Sequence, residues 1–446
     1  MKNLLFPVGG GDEIGASCYF IQVDGEKILL DSGIRLHSTT TFPRFEALYN
    51  HSLIDGFWDL SAIFISHGHI DHIGSLPKVA EESPRVPIYT TLPTKQIMAL
   101  QYQSLFRDSN KAHKDSIDFN VKLLQNISIE RVFNNVVPKK WGESIKLGNC
   151  RITFFPAGHI LGASMTYIES ESNNILWTGD FSSFDQLTVP RYQLPANLNV
   201  DVLITETTYG YQDRANVDSI EVEREKFAKK IENVIQKNGT VLIPAFAIGR
   251  SQELALTCQF LIDKGQLPPI RVYIGGLSDS ASNVYEENQI KVFSDHIQSA
   301  PRDLLRHLSS FSGVIIASSG MLVDFSTSAR YAQKVLTDPN NALFFSGYLD
   351  EESPGKRILR LQRNHTIRLN HEQVKVKAAV DRYQLSAHTD LSGILELIEY
   401  VQPKKAIFVH GYPEYNQKTN IYREIVRKYG NELELHQSTN GVPIYF

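Results

Sequence analysis

The chain has 446 residues, 42% apolar and 21% charged, enough for two or three packed domains of ordinary globular composition. Its net charge of −4 argues against a surface that is basic throughout, as a large nucleic-acid footprint usually is, although a local groove or bound metals can still supply a positive field. No run approaches the roughly 18 apolar residues of a membrane span, Met1–Pro7 lacks a signal-peptide layout, and the scattered Cys18, Cys150 and Cys258 fit neither a disulfide framework nor a cysteine zinc site, so a cytoplasmic protein without a membrane partner is expected.

Leu4–Phe6 reads as a strand, Gly9–Asp12 as a flexible turn and Ser17–Val23 as a second strand. Asp24-Gly25 is a tight turn into a third strand, Lys27–Leu30. Asp31 ends that strand and is open to three roles: metal ligand, carboxylate orienting a ligating histidine, or turn residue. Residues 35–57 are polar and contain Pro43, which predicts a loop with a short helix. His37 and His51 there read as surface histidines.

Ile63–Ile65 is a short apolar strand that stops at Ser66-His67-Gly68-His69-Ile70-Asp71-His72. Imidazoles and a carboxylate without cysteine suit Zn²⁺ or a similar borderline metal. Four such donors are too many for one catalytic zinc with an open position. Two metals therefore share the loop, with His67 and His69 facing one and Asp71 and His72 facing the other.

Leu76–Glu82 predicts a helix, Pro87–Tyr89 a strand, Thr94–Asp108 a helix and 109–130 a polar surface helix. Val136–Cys150 reads as two paired strands joined at Gly142. Ile152–Phe155 is a strand that stops at Gly158-His159, and His159 completes a three-histidine site. Ile175–Trp177 leads to Asp180, whose two oxygens can bridge cations about 3.5–4 Å apart. Val202–Thr205 ends in Glu206. A core has no reason to place acids and imidazoles at successive strand tips.

From about residue 210 the texture changes. Helix 219–237 is followed by strands Val241–Pro244, Val272–Ile274, Val314–Ala317 and Leu343–Phe345. Helices open near Ile248, after Ser278 and near 325–337. That alternation predicts a parallel sheet flanked by helices, a second domain. His388 then precedes a helix over 391–401, the strand Ala406–Val409 ends at His410, 416–429 is helical and Val442–Phe446 closes the chain as a strand. His113, His296, His307, His365, His371 and His436 fit no strand-tip pattern and read as surface or core residues.

The His67–His72 motif with Asp31, His159 and Asp180 resembles the metallo-β-lactamase superfamily, an αββα sandwich with a metal pocket at one edge. Glu206 in Thr205–Gly210, His388 in Ser386–Asp390, His410, Pro244–Arg250 and Ala317–Leu322 narrow the resemblance to its β-CASP nuclease branch. That branch includes RNase J and the endonuclease subunit of the mRNA 3′-end cleavage and polyadenylation complex, and this chain is similar to its compact, prokaryotic-type members. The resemblance implies a metallo-β-lactamase domain over 1–209 and 381–446, with a β-CASP domain over 210–380 inserted between its parts.

It also implies hydrolysis of RNA phosphodiester bonds, endo- or 5′-exonucleolytic, by a hydroxide activated by two Zn²⁺, or by Mn²⁺. His67, His69 and His159 would hold one ion, Asp71, His72 and His410 the other, and Asp180 would bridge. His388 would be the general acid, with Glu206 holding its ring. Ser386, Arg250, Ser319 and Gly320 are candidate contacts to single-stranded RNA, and Asp31 supports a ligand. A His at position 410 goes with the RNA-processing members. Dimerisation is common in such proteins, and no motif here decides it. Where the family stretch carries a glycine this chain has Glu352, an acid in a loop expected to meet a polyanion. Three other readings stay open: a DNA nuclease of the same family, a small-molecule thioester or lactam hydrolase, and an inactive scaffold subunit.

Overall fold

The computed structural model describes residues 2–35, 40–111, 129–212, 220–413, 420–430 and 432–446. His37, His113 and most of the stretch 109–130 lie outside the described residues. The chain divides into two compact units. Residues 1–185, 189–214 and 388–446 form the first, and 186–188 and 215–387 form the second.

Among the described residues, the first unit holds two seven-stranded sheets. In one, Ile444–Tyr445, Leu4–Gly9, Cys18–Val23 and Glu26–Leu30 run antiparallel in that order. Ala62–Phe64, Ile88–Thr90 and Val136–Pro138 then continue it in parallel. The other sheet runs Glu434–Gln437, Lys405–Val409, Val202–Glu206, Ile175–Trp177, Ser164–Glu169, Cys150–Pro156 and Ser144–Leu147. Their inner faces share one core, in which Leu5, Ile21, Phe64, Phe154, Trp177 and Ile204 are buried together. Each such side chain contributes roughly 1.5–3 kcal/mol by leaving water.

The outer face of the first sheet is covered by the helices Glu46–Asn50, Leu76–Glu82, Leu92–Lys111 and Ile129–Asn135 through Leu48, Val79, Tyr102 and Val132. On the second sheet, Tyr422 of helix Asn420–Tyr429 meets Phe408 edge-on. This is an αββα sandwich.

The pairing of two strands and the length of a third depart from the sequence reading. Val136–Pro138 and Ser144–Leu147 are not partners across Gly142. The first pairs with Ile88–Thr90, and the second with Cys150–Pro156 in the opposite sheet. Gly142 therefore sits where the chain crosses between sheets. The closing strand is also shorter, Ile444–Tyr445. Cys18, Cys150 and Cys258 are buried free thiols, small apolar fillers as expected.

In the second unit a six-stranded, wholly parallel sheet runs Ile297–Ser299, Val272–Gly275, Gly313–Ala317, Thr240–Pro244, Ala342–Phe345, Ala379–Arg382. Its central strands are buried along their whole length, as strands covered on both faces must be. Helices Ile220–Ile235, Arg250–Asp263, Leu277–Glu287 and Thr327–Val335 accompany it. The helix expected near 325–337 runs Thr327–Val335, and at its start the Ser326 hydroxyl accepts the Ala329 N–H. In the atypical loop, Glu351 pairs with Lys356 at 2.8 Å and also with Arg360, and Ser353 caps the helix Pro354–Arg360. That loop thus meets part of its acidity with its own cations.

Candidate metal centre

The site residues lie where apolar strands of the sandwich stop. Ala62–Phe64 opens into the loop with His67 and His69, and a single helical turn, Ile70–Ile73, carries Asp71 and His72. His159 follows Cys150–Pro156, Asp180 follows Ile175–Trp177, Glu206 ends Val202–Glu206 and His410 follows Lys405–Val409. Parallel neighbours end on the same side of a sheet, so Glu206 and His410 are brought together by register: Glu206 pairs with Val409.

Gly33 shows how tightly the loop is held. A Cβ there would lie 1.6 Å from the Asp71 carbonyl oxygen, so only glycine lets the turn after Asp31 pass. The Ser17 and Ser32 N–H groups donate to the carbonyls of Asp71 and His72, at 2.9 and 2.8 Å.

Two donor groups form. His67 Nε2 and His159 Nε2 both approach His69 Nδ1, at 3.0 and 3.3 Å, and lie 3.7 and 3.8 Å from Asp180 Oδ2. Asp71, His72 and His410 form the second group: Asp71 Oδ2 is 3.8 Å from His72 Nε2 and 3.6 Å from His410 Nε2. Asp180 reaches both, with Oδ2 3.4 Å from His72 Nε2 and Oδ1 3.4 Å from His410 Nδ1. Within each group the candidate ligand atoms lie within 4.8 Å of one another.

The electrostatics match a cation site. Burial, reinforced by neighbouring imidazoles, holds His67 and His159 well below the ordinary histidine range, hence neutral with lone pairs available. Burial also opposes charge on His72, but Asp180, Asp31 and Asp71 outweigh it and raise its pKa. Asp180 stays ionised despite burial because His410, His72 and His388 surround it. One proton on His69 Nδ1 cannot serve two facing imidazole nitrogens well, whereas one cation accepts all three lone pairs. Asp180 Oδ1 is buried and makes no hydrogen bond. Both observations fit a pair of divalent ions held by nitrogen and oxygen donors.

Asp31 stands behind His72. It is fully buried, and its Oδ2 meets His72 Nδ1 at 2.6 Å while Ser66 donates to both of its oxygens. It orients His72 and leaves Nε2 to face the centre. Composition gave no hint of two further supports. The Ser66 hydroxyl lies 3.0 Å from His67 Nδ1, and the Thr208 hydroxyl 3.0 Å from His410 Nδ1. Hydroxyl residues beside strand tips are too common to signal such a role.

A third group stands beside Asp180. His388 Nδ1 lies 2.9 Å from Glu206 Oε2 and 3.9 Å from Asp180 Oδ2. Burial lowers its pKa, but the carboxylates of Glu206 and Asp180 prevail and push it up to about 9. Glu206 is fixed in turn by the Phe181 N–H at 2.8 Å. The result is an imidazolium with a side chain 19% exposed, able to donate a proton at neutral pH.

The candidate RNA contacts lie in the second unit. Arg250 is buried, donating to the Leu385 carbonyl and, at 3.0 Å, to Gln186 Oε1. Its guanidinium holds that unit together rather than facing solvent. The Ser319 hydroxyl accepts the Met321 N–H at 3.3 Å, and Gly320 packs against the backbone of Ala245 and Phe246. Ser386 is 9% exposed.

Residues 11–204 match the Metallo-beta-lactamase superfamily, 251–358 the Beta-Casp domain and 373–433 the Zn-dependent metallo-hydrolase RNA specificity domain. The chain is 28% identical over 95% of its length to the cleavage and polyadenylation specificity factor subunit 3 of Dictyostelium discoideum, covering 55% of that protein. It is 29% identical over 98% of its length to the endoribonuclease ysh1 of Schizosaccharomyces pombe, covering 58% of it. The chain thus spans little more than half the length of these relatives. A solved structure of a protein of unknown function from Enterococcus faecalis V583 shares the fold, with a TM-score of 0.61, 15% identity and full coverage of both chains. The chain thus carries metallo-β-lactamase, Beta-Casp and RNA specificity domains in that order.

Proposed function

We propose that the chain is a metal-dependent ribonuclease that hydrolyses RNA phosphodiester bonds. The observation that carries this reading is the assembly, at the strand ends of the two packed sheets, of two donor groups with Asp180 between them and the His388–Glu206 pair beside them. The match to an RNA specificity domain and the similarity to an endoribonuclease support RNA as the polymer.

His67, His69 and His159 would hold one ion and Asp71, His72 and His410 the other, with Asp180 within reach of both. Two Zn²⁺ ions, or Mn²⁺, would supply positive charge for the scissile phosphate and a water of lowered pKa. Asp31 keeps His72 in the tautomer whose Nε2 is free to ligate. His388 donates the proton that the leaving oxygen needs, and Glu206 holds its ring and favours the charged form. Residues 1–209 and 381–446 are assigned to the catalytic domain and 210–380 to the β-CASP domain. Three buried thiols without a disulfide support a cytoplasmic setting.

The test compares substrates. Zinc-loaded protein should cleave single-stranded RNA and leave a chromogenic lactam and a thioester untouched. Robust lactam or thioester turnover with intact RNA would replace this reading with that of a small-molecule hydrolase.

A further inference from the structure

Between residues 356 and 382 the sequence places eight Lys and Arg against two acids, in a chain whose net charge is −4. The structure arranges much of this charge as a surface. Strands Thr366–Leu369 and Glu372–Lys375 form a hairpin in which Ile367 pairs with Val374, Arg368 with Gln373 and Thr366 with Lys375. Ile367, Leu369, Val374 and Val376 are buried, so alternation turns Arg368, Lys375 and Lys377 to the solvent face. Arg363 joins the same strip, its Nε donating to the Lys377 carbonyl at 2.8 Å.

Of the acids near the strip, Glu351 pairs with Lys356 and Arg360 and Asp381 with Lys230 at 3.5 Å. Glu372, which accepts from Gln333 at 2.9 Å, and Asp324, which accepts from the Asn370 N–H at 2.7 Å, keep their charge at the hairpin turn. Among the described residues, no ion pair or side-chain hydrogen bond engages Arg357, Arg368, Lys375 or Lys377. Exposed cations normally alternate with anions. Among the described residues, Arg363, Arg368, Lys375 and Lys377 outnumber the two turn carboxylates and leave the strip net positive.

We propose that the solvent face of hairpin 366–375, with Arg363 and Lys377, is a binding surface for the phosphate backbone of single-stranded RNA, an inference that rests on the reading of RNA as substrate. Cations at alternate positions of a strand stand about 7 Å apart, close to the spacing of successive phosphates on an extended single strand. Arginine and lysine at such sites bind phosphate without reading sequence, so the surface adds affinity and salt dependence rather than base preference.

The test is the salt dependence of binding. Poly(U) is titrated onto the full chain by fluorescence anisotropy at several salt concentrations. The wild type is compared with R363Q/R368Q/K375Q/K377Q. A charge-matched control, K229Q/K237Q/K291Q/R302Q, removes four exposed cations elsewhere in the same unit. Cleavage of a labelled RNA is followed in parallel.

Each phosphate contact contributes about 0.7 to the slope of log affinity against log salt on single strands, so the strip variant should lose roughly 2–3 from that slope and the control none. Its thermal melting should match that of the wild type, because every substituted side chain is exposed. An unchanged slope, or an equal loss in the control, overturns the surface, as does failure of the wild type to bind poly(U). If the strip variant loses slope while the wild type binds RNA without cleaving it, the surface stands and the nuclease reading falls.

Discussion

Replacing Asp31 by Asn leaves the size of the side chain almost unchanged but reverses one edge of it from acceptor to donor. Asp31 Oδ1 accepts the Ser66 N–H at 2.8 Å. Its Oδ2 accepts the Ser66 hydroxyl at 2.7 Å and faces His72 Nδ1 at 2.6 Å. The asparagine carbonyl can keep the backbone N–H, but the new NH₂ then faces Nδ1. The imidazole responds by moving its proton to Nε2, the nitrogen 3.4 Å from Asp180 and 3.8 Å from Asp71. A protonated nitrogen cannot ligate a metal. A hydrogen bond to a charged group is worth about 1.5–3 kcal/mol. That range agrees with the roughly 10–100-fold loss of affinity that follows removal of a group orienting a ligating histidine. Calorimetric titration of metal-stripped protein with Zn²⁺, in competition with a chelator, should resolve two binding events. The one at Asp71, His72 and His410 should weaken by that factor, and the one at His67, His69 and His159 far less. Two events with wild-type affinities in the Asn variant would refute the orienting role.

His388→Ala should lower kcat by about 10²–10⁴-fold while bound zinc, measured by emission spectroscopy, stays at the wild-type level. Glu206→Gln removes a carboxylate that raises the His388 pKa, so the acid loses its proton at lower pH. The alkaline limb of the kcat/KM profile should then move to lower pH, and an unmoved limb would detach Glu206 from His388. Gly33→Ala would place a methyl group 1.6 Å from the Asp71 carbonyl oxygen. Thermal unfolding should show a loss of more than about 2 kcal/mol, together with weakened zinc binding.

The donor residues stood out because each short apolar run stops at a metal-type side chain, and the strand ends of both packed sheets bring those stops together. The same logic placed Asp180 between the two groups. What could not be read was pairing at long range. Glu206 and His388 touch across 182 residues of sequence, which only the resemblance could anticipate. Val136–Pro138 and Ser144–Leu147 look like a hairpin because Gly142 lies between them, yet short strands carry no mark of which sheet they join. Hairpin 366–375 and edge strand Ala379–Arg382 escaped notice because charge at alternate positions hides the apolar signal of Ile367 and Val374. Arg250 opens a helix, while its partners Leu385 and Gln186 come from distant stretches of the chain, a pairing no local pattern marks.

The most direct test is cleavage of a 5′-labelled and a 3′-labelled single-stranded RNA beside DNA of the same sequence, with Zn²⁺ or Mn²⁺ added and with Asp71→Ala and His388→Ala as controls. The account predicts that RNA is cut, internally or from its 5′ end, that DNA is cut less, and that both variants are inactive. RNA left intact by a wild-type chain carrying two zinc ions, or RNA cut equally well by both variants, would contradict it.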